Sequence, residues 1–420
     1  MSLKGDVFMS KPFPIEWVRS KFPALTRTLN DSRYVYFDGP GGTQMVDNAA
    51  NGMVKYISGG MANLHGPFAT SIETDLLLDQ AREAVADLLG CEAREVAFGA
   101  NMTSHAFAIA RSLAGWIDEG DEIVVTQLDH RANVDPWLTL ARDRGAVVKF
   151  IELNPDTYRL DLEQLDTVIT EKTKIVAAGM SSNVTGTVTD VARIAARAHE
   201  VGAVMVVDAV HAVPHLPIDF KKIGCDILLC SAYKFFGPHV GIAVIQADLF
   251  EKLPVYKLDP APAEIPFKLE TGTQNHEGIA GVCGAIQFIE SLGAGETRRE
   301  RIVSGMTMID EYEKKLGNEL EGFLRGLPGV QLYRADSGPR TPTFAFTIAN
   351  RNSRDVCRWF AERYSMAIAD GDFYASTMAK KLGLGPDGWV RIGLAPYNTL
   401  EEIELFKQGM LELVAEKVEK

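Results

Sequence analysis

From about residue 75 the chain alternates between two hydrophobic rhythms. Ile72, Leu76, Ala84, Leu88 and Leu89 recur at helical spacing with charges between them, which predicts a helix over 71–90. EVAFG at 95–99 then reads as a short strand, and Met102 to Ala114 as a helix. Further strands are predicted at EIVVTQ (122–127), VVKFIEL (147–153), KIVAAGM (174–180), AVMVVD (203–208), CDILLC (225–230) and IAVIQ (242–246). Helical stretches at 136–145, 161–169 and 190–201 fall between them. Such alternation predicts an α/β fold with a mostly parallel sheet covered on both faces. The near-continuous apolar runs agree, because a central parallel strand is buried on both sides.

The rhythm changes near 255–270, where DPAPAEIP is proline-rich and predicts a loop. Helices follow over 278–292 and 296–324, then a strand at PTFAFTI (342–348), a helix over 353–364 and a strand at WVRIGLA (389–395). Thr399 and Glu402 form a capping box for a last helix whose Ile403, Phe406, Met410 and Leu413 share one face. The expected organisation is a segment 1–45 packing with a small domain, a large domain over 46–290 and a small α+β domain over 291–420.

Composition narrows the class. Apolar residues make up 46% and charged residues 24%, as in an ordinary globular protein. A chain of 420 residues can bury a core without a disulfide or metal staple. Acidic residues outnumber basic ones 56 to 43, so a phosphate backbone is repelled and no nucleic-acid partner is expected. The five scattered cysteines, Cys91, Cys225, Cys230, Cys283 and Cys357, do not form a disulfide framework. The first residues hold no signal-peptide core, although Met9 offers an alternative start, and the longest apolar runs are far short of the ~18–20 residues of a membrane span. A cytoplasmic protein with no membrane partner is expected.

Candidate chemistry clusters just after the strands. Gly99 to Thr103, Asp129 with His130, Asn183, Asp208 and Lys234 each follow a predicted strand. In open parallel sheets the ligand crevice lies beyond those carboxyl ends. Asp208 follows Met205, Val206 and Val207, so its carboxylate begins near a buried sheet end and needs a partner. Lys234 stands among Tyr233, Phe235 and Phe236, where desolvation lowers its pKa toward the ~7–8 useful in catalysis. Pyridoxal phosphate asks for this pair: a lysine for the Schiff base, and an acid to keep the pyridine nitrogen protonated. Ala100 to Thr103, between a strand and a helix, suits the phosphate.

Two patterns fail their context. Gly383, Gly385 and Gly388 match a dinucleotide fingerprint but precede a strand rather than open a helix. His211 and His215 are four apart, but Pro214 denies them a common helical face, and Cys225 and Cys230 face opposite sides of a strand. No metal site is expected.

The motifs DHRAN (129–133), SSNVTGT (181–187), VDAVHAV (207–213), SAYKFFGP (231–238) and ETGTQN (270–275) resemble those of class V aminotransferases, which are pyridoxal-phosphate enzymes of fold type I. The nearest branch is the cysteine desulfurase and selenocysteine lyase group, and the likeness runs from YVYFDGPGGTQ (34–44) to VRIGLAPYNT (390–399). The resemblance implies a large domain with a seven-stranded, mostly parallel sheet and a smaller C-terminal domain. It implies that Lys234 binds the cofactor and moves the Cα proton, with His130 on the ring face and His211 as a further catalytic residue. Asp208 is then the partner of the pyridine nitrogen and Asn183 that of the phenolic oxygen. Thr103 and Ser231 hold the phosphate, with Met102 and Tyr233 beside the cofactor. Gly272 and Thr273 reach the phosphate from the other subunit of a homodimer with a shared active site. Arg391 binds the carboxylate of a small amino-acid substrate, and His65 takes a substrate-side place.

The chain departs from that branch in three ways. His211 replaces a usual glutamine and Tyr233 a usual histidine, as in kynureninase-like and epimerase-like relatives. The loop that carries the sulfur-accepting cysteine falls within IADGDFYASTMAKKLG (368–383), which contains none. The expected activity is therefore desulfurase-like β-elimination without an enzyme persulfide. Transamination and epimerisation are the alternatives, and so is a non-catalytic cofactor-binding or sulfur-transfer partner protein.

Overall fold

A computed structural model describes residues 12–29, 31–385 and 387–416. The alternative start at Met9 lies outside the described residues. The chain enters through a segment in which Val35–Tyr36 pairs, parallel, with Met366–Ala367. Helices α1 (Asp47–Gly59) and α2 (Ala69–Leu89) follow.

Seven strands then build the larger sheet: β1 (Val96–Gly99), β2 (Glu122–Thr126), β3 (Val147–Ile151), β4 (Thr173–Gly179), β5 (Val204–Asp208), β6 (Ile227–Ser231) and β7 (Gly241–Ile245). Their spatial order is β1-β7-β6-β5-β4-β2-β3. Only β7 runs antiparallel to its neighbours. The expected mostly parallel sheet is therefore present, with one reversal that apolar runs cannot encode.

Alternate strand residues feed two cores. Ile123, Val125, Ile175, Val206 and Leu229 pack against α3 (Met102–Leu113) and α4 (Asp135–Arg144). Val124, Val176, Met205, Val207 and Leu228 face the other side, with α2, α5 (Val191–Glu200) and α6 (His276–Leu292). Period-two alternation with apolar residues on both faces produces this three-layer arrangement.

The long helix α7 (Arg298–Gly326) serves both parts of the chain. Its capping box of Thr297 and Glu300 is formed. Ile302, Met306 and Ile309 lie in the large core, whereas Leu316, Leu320 and Leu324 lie in a second core. That second core backs an antiparallel sheet of β8 (Val330–Tyr333), β9 (Thr343–Ile348), β10 (Ala369–Gly371) and β11 (Trp389–Gly393), in the order β8-β9-β11-β10. α8 (Ser353–Tyr364) and α9 (Leu400–Ala415) cover it, and the Thr399–Glu402 capping box of α9 is formed as expected. Val35 and Phe37 join this small core, while Val18 and Phe22 join the large one.

Some elements were not legible from apolar spacing. α1 carries its apolar residues on an exposed edge, with Val54 and Ile57 open to solvent. β8 is a half-buried edge strand. The helical stretch expected over 161–169 divides into a 3-10 turn at Leu162–Gln164 and a short helix at Leu165–Val168.

Candidate active site

The carboxyl ends of β1, β2, β4, β5 and β6 border one cavity of about 870 Å³. Asp208 is in register with Gly179 on β4 and with Leu229 on β6, so these ends lie at one level. Met102, Thr103, His130, Asn183 and Asp208 line the cavity from the sheet side, with His211, Ser231, Tyr233 and Lys234. Arg391 of β11 completes it from the small sheet. Three expected site residues stand apart. Thr273 lines a neighbouring recess with Tyr256 and Gln274, and Gly272, beside it, is exposed. The two recesses share Ser104 and His239. His65 is held elsewhere, its backbone N–H donating to the Asp75 carboxylate at 3.1 Å and its Nδ1 3.2 Å from Asp75 Oδ1.

Lys234 lies in the 3-10 turn that follows β6 and is 8% exposed. Its Nζ donates to the Pro40 carbonyl and sits 4.9 Å from the Tyr233 ring centroid. Burial, with the Arg391 charge adding to it, pushes the ammonium down to about 7, against the pull of Asp208 and Asp38. Burial also raises the Asp208 carboxyl to about 7, although the Val210 N–H donates to it at 2.9 Å. At neutral pH each group is poised between its charged and neutral forms.

The helix end is built from paired groups. Asn101 caps α3 by accepting from the Ser104 N–H at 2.9 Å. Ser231 Oγ accepts from the Met102 N–H at 3.0 Å, which fixes the end of β6 to the start of α3. Gly241 permits this approach, since a Cβ there would meet the Asn101 backbone at 2.4 Å. The remaining N-terminal amides and the helix dipole favour an anion at Thr103.

Asp129 works beneath the surface. It accepts from Thr126 Oγ1 (2.6 Å), Asn133 Nδ2 (2.9 Å) and the Gly179 N–H (2.8 Å), and so ties β2 to β4. That anchoring aims His130 at the cavity. His130 Nδ1 accepts from the Ala132 N–H at 3.0 Å, so its proton is on Nε2. Burial and the nearby Lys234 and Arg391 charges lower its pKa to about 4, which keeps the ring neutral.

Arg391 is 4% exposed and sits over the Phe373 ring, 3.7 Å from the centroid. Its Nη1 donates to the Asn183 carbonyl at 3.0 Å, and Asn183 Nδ2 donates to the Phe373 carbonyl at 3.0 Å. Gly186 lets the loop carrying Asn183 lie against the small sheet: it has φ +69°, and a Cβ would meet the Thr341 carbonyl at 2.7 Å.

The spacing of motifs does not reveal Asp38, Phe373, Tyr374 or His239. Asp38 is half-buried beside Arg391 and Lys234, with desolvation raising its carboxyl against their pull. The signal was available in YVYFDGPGG, an acid closing an apolar run before Gly–Pro punctuation. Phe373 and Tyr374 both adopt positive φ, 53° and 57°, a costly conformation that clusters at functional loops. The Tyr374 ring lies 5.3 Å from His130, and His239 stacks on Tyr233 at 4.9 Å.

Three buried polar atoms of residues on the cavity wall have no partner among the described residues: Asn183 Oδ1, His211 Nδ1 and Arg391 Nε. Together with the poised lysine, the acid and the capped helix end they fit pyridoxal phosphate and an amino-acid carboxylate. Orphaned buried groups are costly unless a ligand satisfies them. None of the five cysteines lines the cavity. Among the described residues no group of side chains could hold a metal ion, and no helix is long and apolar enough to cross a membrane.

Comparison with known proteins agrees with this geometry. Residues 35–406 match the family described as Aminotransferase class-V. A cysteine desulfurase from Enterobacter sp. (strain 638) is 30% identical over 95% of the chain and 98% of its own length. An aminotransferase-like protein from Gibberella zeae is 31% identical over 94% and 97%. The structure of an apo cysteine desulfurase from Thermococcus onnurineus NA1 superposes with a TM-score of 0.86 at 28% identity, covering 96% of this chain and 99% of that one.

Proposed function

The chain belongs to the class V aminotransferase family, a family of pyridoxal-phosphate-dependent enzymes, and from that premise we propose that it catalyses elimination at Cβ of a small α-amino acid without an enzyme persulfide. One observation carries this reading: Lys234, Asp208 and Arg391 border a single cavity whose wall contains no cysteine. When bound, the cofactor supplies an electron sink for the bond-breaking at Cα.

The chain's own groups supply the rest. Asp208 would hold the ring nitrogen of the cofactor and Asn183 its ring hydroxyl, and the neutral His130 would contribute the stacking surface. Thr103, Met102 and Ser231 would hold the phosphate, and Tyr233 flanks Lys234. Arg391 takes the substrate carboxylate with its free Nε, held flat on Phe373. Lys234 Nζ, poised near neutrality, accepts the Cα proton. His211, on the cavity wall, keeps a ring nitrogen, Nδ1, without a partner among the described residues. The five thiols are poor sulfur acceptors: burial raises Cys283 to about 11 and Cys357 to about 12, and holds Cys91, Cys225 and Cys230 higher still.

A homodimer accounts for the residues left outside. Val54, Ile57, Met61, Phe68, Ile72 and Leu76 expose an apolar edge on α1 and α2 and the turn between them. In such a dimer Gly272 and Thr273, outside this chain's own cavity, would meet the second copy's phosphate site. The two cores divide within α7, whose Ile302, Met306 and Ile309 lie in the large one and whose Leu316, Leu320 and Leu324 lie in the small one; domain limits near residues 45 and 290 rest on the likeness to the family, and five free thiols suit the cytoplasm. Transamination is the second reading, favoured by the aminotransferase-like relative.

The test is direct. Purified protein with pyridoxal phosphate should be yellow, and borohydride should bleach it and fix the cofactor on Lys234. Incubation with cysteine or β-substituted alanines should then release pyruvate with sulfide or the other leaving group, whereas alanine, which has no leaving group at Cβ, should not react this way. Pyridoxamine without pyruvate would assign transamination. Sulfide release abolished by thiol alkylation would sink the persulfide-free path.

A further inference from the structure

Behind the cavity lie two buried ionisable groups that the reaction does not use. His215 and Glu313 are 3% and 1% exposed, and His215 Nδ1 is 2.8 Å from Glu313 Oε2. The His215 ring packs edge-on against His211, with centroids 5.2 Å apart at 68°. His211 lines the cavity, its Nε2 2.8 Å from Thr343 Oγ1. At the far end Glu313 lines an outer recess of about 160 Å³ on the other side of α7. Glu313, His215 and His211 thus form a polar path through the interior, from that recess to the cofactor cavity.

Packing does not explain the pair. Neighbouring inward positions of α7 are Ile309, Leu316 and Leu320, and an apolar residue would fit the pattern at 313. A buried ion pair rarely stabilises more than the apolar residues that could replace it. Glu313 Oε1 has no partner among the described residues. Burial raises the Glu313 carboxyl to about 7, with His215 opposing the shift. The groups facing it are His215 from the loop after β5, Asp310, Tyr312 and Lys314 on its own helix, Arg334 and Arg340 across the recess and Tyr397 from the turn before α9. On the cavity side His211 faces His215, Lys234 and Arg391, all of which disfavour charge on it.

We propose that Glu313 and His215 are positioning residues: they hold one exchangeable proton beside His211 and exchange it with solvent through the outer recess, so that the charge of the pair sets the electrostatic field on the cavity. With Glu313 ionised, the His215 Nδ1–H donates to Oε2 and the pair carries one negative charge. Uptake of one proton from water neutralises the pair, and no other bond changes. The negative form stabilises cationic groups in the cavity, and the neutral form does not. This rests on the cavity being the cofactor site, but not on which reaction occurs there.

The test compares visible absorption of the holoenzyme between about pH 5.5 and 8.5 for the wild type, Glu313→Gln, Glu313→Asp and His215→Asn. Loss of the buried negative charge should move the midpoint of the cofactor's spectral transition down by about one pH unit in Glu313→Gln, and in the same direction in His215→Asn, because His215 opposes the burial shift of Glu313 and its removal favours the protonated carboxyl. Glu313→Asp should restore it, which a purely structural role would not predict. In cofactor-free protein, Glu313→Gln should melt higher than wild type above pH 7 and no higher near pH 5. If Glu313→Gln does not fold, His215→Asn decides alone. Midpoints unchanged in every folded variant would overturn the pair's role, whereas a wild type that never colours would instead overturn the cofactor reading.

Discussion

Replacing Lys234 by methionine isolates the cost of burying the ammonium that the proposed chemistry needs. The two side chains are similar in length, so the substitution mainly removes charge. In the folded, cofactor-free protein the lysine titrates at about 7 instead of 10.5. That gap corresponds to at most roughly 5 kcal/mol of opposition to folding. The sign follows from a depressed base. Below pH 7 the lysine is charged in both states and the full penalty applies. Between pH 7 and 10.5 the folded lysine is neutral while the unfolded one is still charged, so the penalty falls as pH rises. Above 10.5 it is gone.

Losing the bond from Nζ to the Pro40 carbonyl returns about 1 kcal/mol. The cofactor-free methionine variant should therefore be more stable than wild type at pH 6 by up to about 4 kcal/mol. The advantage should shrink steadily toward pH 10. Urea unfolding of both proteins across that range measures it. A variant less stable at pH 6, or a difference that ignores pH, would refute the reasoning. The same desolvation that opposes folding leaves a large neutral fraction on Nζ at pH 7, and that fraction is what a nucleophile or base requires.

Asp208→Asn should stabilise the cofactor-free protein above pH 7, because burial raises the carboxyl from 3.8 to about 7 and its ionisation opposes folding across that window. The same variant should lose on the order of 100-fold or more in turnover; a stable variant that keeps its rate would remove Asp208 from the site. Ser231→Ala leaves the Met102 N–H buried without its acceptor and should cost roughly 1–3 kcal/mol in urea unfolding, along with weaker cofactor binding by fluorescence titration. Phe373→Ala uncovers Arg391 and should raise KM several-fold with kcat nearly unchanged, as expected when ground-state and transition-state binding fall together. Gly186→Ala should lower the melting temperature, because the added Cβ meets the Thr341 carbonyl in a left-handed turn; an unchanged melt would show that the loop can move aside.

Much of the large sheet was legible because its signals are local. β2, β4 and β5 are runs of apolar residues bounded by polar ones, and the caps of α7 and α9 lie within four residues of the ends they serve. Lys234 and Asp208 could be singled out because each stands directly beside an apolar run. Arg391 rested on resemblance, since a strand arginine is ordinary until its neighbours are known. Its burial depends on Phe373 and Asn183, neighbours that β11 does not itself contain. His65 and Thr273 show the converse, because a motif position does not state which cavity a side chain enters.

By itself the sequence determined the order of strands and helices, the placement of polar residues at strand ends, and an acid and a lysine whose burial perturbs both. These depend on periodicity and on residues a few positions apart. Only the tertiary structure decided that β7 runs against its neighbours, that α7 divides its apolar face between two cores, and that Asp38 sits beside Arg391. It alone brought His215 to Glu313, 98 residues away. A hydrophobic pattern specifies which face is buried but not against what. Pairings across such distances are settled when loops close and layers pack, and at that step two groups ordinary in the chain become a buried acid–base pair.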